Sequence, residues 1–278
     1  PEILRDMDSE TLQLKTQMIP ECYVPWRSSW DPGWEAQAHE KITSDPLHMI
    51  FGQVVHGGVM ANVVRRFGLK PSAVIGYSLG ESAGLFAMGA WPERGQMLKR
   101  MLNTDLFRTE LAGPCHALRK AWNIPPHEPV NWRVAVVNRS ADRVRNVISK
   151  WPLTRLLIVN TPEECVIGGQ EDQVEAVISD LGCEAIFLEG VVTVHCDAAL
   201  PVESAYKELH IFQTSPPEGI RFYSCAMGRA YELTSERAAS SILRQALSGF
   251  DFTATIHQAY NDGVRIFLEM GPQASCTR

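Results

Sequence analysis

Paired cysteines and an excess of basic charge are missing from this sequence, neither a leader nor a membrane-length apolar run is expected in it, and each absence narrows the function. The seven cysteines, Cys22, Cys115, Cys165, Cys183, Cys196, Cys225 and Cys276, are scattered singly. An odd count without CxxC pairs argues against a disulfide framework and against a structural zinc site, and the expected compartment is reducing and cytoplasmic. The chain opens on Pro1-Glu2-Ile3-Leu4-Arg5-Asp6, with neither an initiator Met nor a signal peptide, so a piece of something longer is expected. No apolar run is read as reaching the roughly 20 residues that span a bilayer, so no membrane is expected as a partner. With 26 basic against 32 acidic residues the net charge is −6, which gives no general attraction to nucleic acid. What remains is 278 residues, 45% of them apolar. That suffices for one large domain with a small insert.

Apolar residues at Phe51, Val55, Val59, Val63 and Phe67 predict a mostly buried helix over 47–67, closed by Gly68 and Pro71. A short β run follows, Ala73-Val74-Ile75, then Gly76-Tyr77-Ser78-Leu79-Gly80 and a small-residue helix over 81–88. A second unit starts near Asn131. Its pattern is strand 132–137, helix 141–150, strands 155–160 and 164–168, helix 171–181 and strand 184–188, a βαββαβ order in about 60 residues. The helices carry apolar faces, Val144, Val147 and Ile148 on one and Val174, Val177 and Ile178 on the other. The chain then returns to the larger unit through residues 191–197. A late strand is expected over 264–268, ending at Glu269-Met270-Gly271-Pro272.

Gly76-x-Ser78-x-Gly80 between a β run and a helix is the pattern of a nucleophile elbow. A sharp strand-to-helix turn exposes the serine Oγ, and flanking glycines let helix and strand approach. At the helix N-terminus the backbone N–H of Leu79 can donate to a developing oxyanion. The plainer reading of Ser78 is a helix N-cap. A serine hydroxyl needs a neighbouring base, and eight histidines compete for that role. His39, His48, His127 and His210 lie in polar or turn-like surroundings, while His116 and His257 carry no distinguishing feature. His195 follows the apolar run Val191-Val192-Thr193-Val194, where the chain re-enters the larger unit. The residues alone leave the choice open.

Gly76-Tyr77-Ser78-Leu79-Gly80-Glu81, Val194-His195-Cys196 and Phe267-Leu268-Glu269-Met270-Gly271-Pro272 together resemble the malonyl-CoA:acyl-carrier-protein transacylase family. The likeness is greatest to acyltransferase domains of polyketide and polyunsaturated fatty-acid synthases, and it runs over essentially the whole chain. It implies an α/β fold. An α/β-hydrolase-like large domain with a mostly parallel sheet (residues 1–130 and 195–278) would carry an inserted ferredoxin-like βαββαβ domain (131–194). It implies Ser78 as nucleophile and His195 as base. The histidine would be oriented mainly by a backbone carbonyl from residues 245–252, where Asp251 falls at the matching position and would supply its carbonyl alone or its carboxylate as well; a solvent-facing acid at a strand start is an equal reading of its side chain. It implies acyl-CoA and an acyl carrier protein as partners, beside neighbouring domains of a synthase, and no metal or tightly held cofactor.

Two departures from the family bear on the acyl group. The arginine that pairs with a malonyl carboxylate is replaced by Asn103, with Lys99 and Arg100 the nearest cations. The tetrapeptide Val192-Thr193-Val194-His195 matches neither the malonyl nor the methylmalonyl pattern. A neutral acyl unit is therefore expected, with Asn103, Tyr77, Val192 and Val194 in the acyl pocket. The family's Gly-rich loop would precede residue 1, where residues 1–4 resemble the following helix, and Pro272 would open a last helix. The competing reading is an α/β-hydrolase-type esterase or thioesterase, supported by His56-Gly57-Gly58. That motif falls inside the helical repeat, so His56 is read as a packed helix residue. A catalytically dead docking module would require Ser78 or His195 to be missing.

Overall fold

The protein is described from a computed structural model covering residues 31–271 and 275–277; residues 1–4 and Pro272, drawn on above, lie outside the described residues. Helix α1 (Trp34–Thr43) leads into α2 (Pro46–Arg66). The start of α2 follows from two local causes: Asp45 accepts a hydrogen bond from the Leu47 N–H at 2.8 Å, and Pro46 occupies the first turn. Gly68, at φ +90°, ends it. By length and a mean hydropathy of 1.3, α2 meets the criterion for crossing a bilayer, contrary to the expectation of no such run. Its Leu47 and Phe51 lie in the main core cluster, whereas Gln53, His56, Arg65 and Arg66 face outward. A core helix buried along one side gives this result.

Next in the chain come β1 (Ala73–Ile75), α3 (Gly80–Ala87), α4 (Arg94–Leu102), a π-helical turn (Leu106–Glu110) and α5 (His116–Ala121). The middle of the chain forms β2 (Trp132–Val137), α6 (Ala141–Ile148), β3 (Thr154–Thr161), β4 (Glu164–Gln170), α7 (Glu171–Leu181) and β5 (Ala185–Leu188). A 3-10 turn (Asp197–Val202) opens the last part, followed by α8 (Glu203–Leu209), β6 (Arg221–Ser224), β7 (Arg229–Tyr231), α9 (Ser235–Ser248), β8 (Phe250–Asp251) and α10 (Phe252–Asn261).

The architecture is mixed α/β, with two sheets among the described residues. The first has the order β1-β6-β7. Its β1–β6 pair is parallel and its β6–β7 pair antiparallel, so the expected mostly parallel sheet is not what these strands form. Residues 264–268, expected as a strand, have no ladder partner among the described residues and no regular structure. Ile266 and Leu268 are exposed. An extended apolar segment becomes a strand only when another strand supplies its hydrogen-bond partners.

The second sheet has the order β5-β2-β4-β3-β8. Alternation along β2 sorts its side chains: Ala135 and Val137 pack with Val144, Val147, Val174, Val177 and Leu181 of α6 and α7, while Val134 faces a cluster with Leu157, Ile158, Cys196 and Phe250. Helices thus cover one face, and the other face packs against the segment carrying residues 195–198. Strand β8 adds a fifth strand to the unit expected over 131–194. Phe250 and Asp251, assigned to the large unit above, pair in parallel with Ile158 and Val159 of β3.

Candidate active site

Strand β1 ends at Gly76, and the turn into α3 is tight enough that a Cβ there would lie 2.0 Å from the Glu81 nitrogen. Only glycine fits. Gly80, the other motif glycine, has nothing within 4 Å of such a Cβ; the second close approach is instead at Gly84, 2.6 Å from the Val74 side chain. The turn places Ser78 at φ +51°. A non-glycine residue held in the left-handed region costs roughly 1–3 kcal/mol and persists where its surroundings over-determine it.

His195 is another such residue, at φ +68°. Its hold comes from the C-terminal turn of α9, where the Gln245 carbonyl also accepts from the Gly249 N–H at 3.0 Å. The His195 N–H donates to the Ala246 carbonyl at 2.6 Å, and Nδ1 lies 2.9 Å from the Gln245 carbonyl. A carbonyl can only accept, so Nδ1 carries the proton and Nε2 presents a lone pair. Nε2 lies 2.7 Å from Ser78 Oγ. The ring is buried, with Phe250 edge-on at 5.4 Å. Burial lowers the His195 pKa to about 4, against a smaller opposing effect of the Gln245 carbonyl bond. At neutral pH the imidazole is therefore a free base. Gly249 makes this geometry accessible: a Cβ there, at φ +67°, would lie 2.0 Å from the Leu157 carbonyl and 3.0 Å from that of His195.

The remaining predicted residues fall in several places. Leu79 stands at the amino end of α3, where first-turn N–H groups lack helical partners. Asp251 was matched to the orienting position, but its carboxylate caps α10, accepting from the Ala254 N–H at 3.0 Å. The carbonyl on His195 belongs to Gln245. Tyr77 turns into the seam between the two sheets: its ring packs edge-on against Phe250 and Phe252, and its hydroxyl donates to Asn160 on β3 at 2.8 Å. Val194 is core, and Val192 packs against the same cluster. Val192 also lines an open groove of about 790 Å³ whose lining contains neither Ser78 nor His195. Asn103 is exposed at the carboxyl end of α4. Arg100 is engaged elsewhere, donating to the Leu209 and Ile211 carbonyls and lying 4.1 Å over the Phe212 ring. His56 is helical as expected but exposed rather than packed, its Nδ1 on the Gly52 carbonyl. His56-Gly57-Gly58 thus lies inside α2 and not on a loop.

Two residues beside the dyad were not singled out from sequence. Gln245 bonds His195 through its carbonyl, and its amide donates to the Ser78 carbonyl at 3.1 Å. Glu81 is fully buried below the elbow, where it accepts from Ser241 and from Tyr231. For Asp251 the signal of a cap was present, an Asp just before a helix-forming stretch.

No protein-family model matches the chain. Among curated proteins it is similar to a non-reducing polyketide synthase of Aspergillus flavus, 22% identical over 239 residues, which are 81% of this chain and 10% of that protein. It is also similar to the 6-methylsalicylic acid synthase of Aspergillus terreus, 24% identical over 221 residues, 76% of this chain and 11% of that one. The chain spans about a tenth of the length of the curated relatives it matches. Among solved structures it superposes on the acyltransferase domain of SpnD with a TM-score of 0.69 at 17% identity, covering 99% of this chain and 60% of that one. On malonyl CoA-acyl carrier protein transacylase of Burkholderia pseudomallei the TM-score is 0.64 at 18% identity, covering 86% and 79%. The chain has the fold of these acyltransferases. Within this fold, Ser78 and His195, the two residues that the motifs singled out, lie within hydrogen-bond distance of each other.

Proposed function

We propose that the protein moves an acyl group from acyl-CoA to the phosphopantetheine thiol of an acyl carrier protein, through an acyl-enzyme on Ser78, in polyketide or fatty-acid biosynthesis. The observation that carries this reading is the 2.7 Å approach of Ser78 Oγ to a His195 whose other nitrogen is fixed on a carbonyl. His195 Nε2 takes the Ser78 proton as Oγ bonds to the thioester carbonyl carbon, and the Leu79 N–H donates to the oxyanion. Collapse breaks the C–S bond, and the imidazolium gives its proton to the departing CoA thiolate. The carrier thiol then repeats these steps in reverse. The carboxyl end of α9, with the Gln245 and Ala246 carbonyls on His195, favours the imidazolium that forms between the two proton transfers.

In this reading the unit around β2–β5 is a ferredoxin-like insert in an α/β-hydrolase-like large domain, and the chain works in cytoplasm beside other domains of a synthase. Asn103, Tyr77, Val192 and Val194 border the acyl group, which is neutral for want of the arginine. The test is intact mass after incubation with a panel of acyl-CoAs. One acyl mass on the Ser78 peptide is expected, persisting in water and discharging quickly to a carrier thiol. Free acid released as fast as CoA, with no carrier present, would establish the esterase or thioesterase reading instead.

A further inference from the structure

The buried polar groups beneath the elbow form a pattern that the dyad chemistry does not use. Ser78 lies in the elbow turn just before α3 and Glu81 in the first turn of that helix. Ser241 and Gln245 lie four apart on α9, on one face of it. The Gln245 amide donates to the Ser78 carbonyl at 3.1 Å, and one turn away the Ser241 hydroxyl donates to Glu81 Oε1. Ser241 Oγ also lies 2.5 Å from Ser224 Oγ on β6. A hydroxyl has one proton, so with Ser241 donating to Glu81 the Ser224 hydroxyl donates to Ser241. Tyr231 on β7 reaches the same Glu81 oxygen at 3.4 Å. Glu81, Ser224, Ser241 and Gln245 are each less than 5% exposed.

We propose that Glu81 and Ser241 are positioning residues, the lower rung of a buried clamp between α3 and α9 whose upper rung, Gln245 to Ser78, sets the spacing of the nucleophile and its base. The clamp rests on the acyl-transfer reading above. Its logic is geometric. Gln245 holds His195 by its carbonyl and Ser78 by its amide, so a slide of α9 along α3 changes the Ser78–His195 distance directly. A single rung would let α3 pivot, whereas two rungs one turn apart fix its register. An apolar pair would fill the same space without leaving Glu81 Oε2 buried and unpartnered, as it is here, so the polar rung costs stability. Directional hydrogen bonds in a dry interior fix register in a way that apolar contact does not.

The groups facing Glu81 are Tyr231, Ser241, Ser224 and Cys225, none of them cationic. Burial accordingly raises its carboxyl to about 8, so the rung is neutral at pH 7. Ionisation would bring an anion beneath the oxyanion site and demand water at the clamp.

The test reads the dyad without any acyl donor, through labelling of Ser78 by a fluorophosphonate, with the inactivation rate and the probe affinity measured separately from pH 5.5 to 9.5. Glu81→Leu and Ser241→Ala should lower the maximal rate per folded molecule about 10- to 100-fold at unchanged probe affinity. Glu81→Gln, isosteric and neutral, should stay within about threefold at pH 7. The wild type should lose rate above pH ~8 and Glu81→Gln should not. Thermal melts fix the folded fraction. Wild-type rates in Glu81→Leu and Ser241→Ala, or one alkaline limb shared by wild type and Glu81→Gln, would overturn the clamp while leaving the nucleophile intact. A wild type that does not label at all would overturn the nucleophile reading, and the clamp with it.

Discussion

The two sheets are built by opposite strategies. Strands β2 to β5 are consecutive, the whole unit closes within residues 132–188, and α6 and α7 cover one face. In the first sheet, β1 pairs with β6 from about 150 residues later, Ala73 with Arg221, so its closure carries the entropy cost of a long loop. The sheet closed at long range carries Ser78 in its left-handed turn. His195 lies where the two meet, gripped by α9 and flanked by Phe250, which belongs to the five-stranded sheet. The proposed site thus draws on both regions at their seam.

Breaking the dyad across that seam should have the largest effect. Ser78→Ala should gain no acyl mass, and His195→Ala should lose about 10³-fold or more in acylation rate, read by stopped-flow or intact mass. Next come the glycines that let the regions approach. Gly249→Ala drives a Cβ to 2.0 Å from the Leu157 carbonyl, and Gly76→Ala does the same to the Glu81 nitrogen. Each should cost about 3 kcal/mol or more in urea unfolding. Gly80→Ala meets nothing and should be neutral, or stabilising by about 0.5 kcal/mol. A destabilised Gly80→Ala would show that the two motif glycines are equivalent after all.

Acid should act on the seam and on the large core together. His195 and His210 are both buried with pKa values lowered to about 4. Between pH 6.5 and 4 the unfolded chain binds more protons than the folded one, so stability falls as pH falls through that window. The loss is up to about 3 kcal/mol per histidine. His210→Phe should remove about half of that slope in unfolding curves at pH 7, 6 and 5.

A smaller tie also joins the regions. Arg155 on β3 grips Asp197, two residues beyond His195, with two bonds of 2.9 Å, and Trp122 donates to the same carboxylate. The pair is partly exposed, so Arg155→Ala should cost only about 1 kcal/mol. Arg155→Lys should recover part of it, since an ammonium cannot reproduce the fork. The smallest effect concerns the acyl group. Asn103→Arg should raise the malonyl-to-acetyl ratio in kcat/KM about three- to tenfold, because a charge pair at so exposed a position is screened. An unchanged ratio in competition kinetics would assign Asn103 to solvent.

Residues 132–188 were legible nearly to the strand end, because alternation and helical spacing there report contacts made within the unit itself. The elbow was legible for a related reason: strand, turn, Gly76 and helix are contiguous, and the steric demand on Gly76 is set by Gly80 and Glu81, its near neighbours. The sequence by itself thus determined the βαββαβ order, the elbow and its serine. Tertiary structure decided the rest. In sequence Asp251 reads alike as an orienter or a solvent-facing acid at a strand start, and only the fold shows its carboxylate capping α10. Residues 264–268 are strand-like in composition, yet a ladder needs a partner that local pattern cannot name. Which carbonyl holds His195, and that α9 grips base and nucleophile through one glutamine, depends on helices brought together from distant parts of the chain. Hydrogen bonds between such segments leave no periodicity in the sequence, because only the packed core sets their partners.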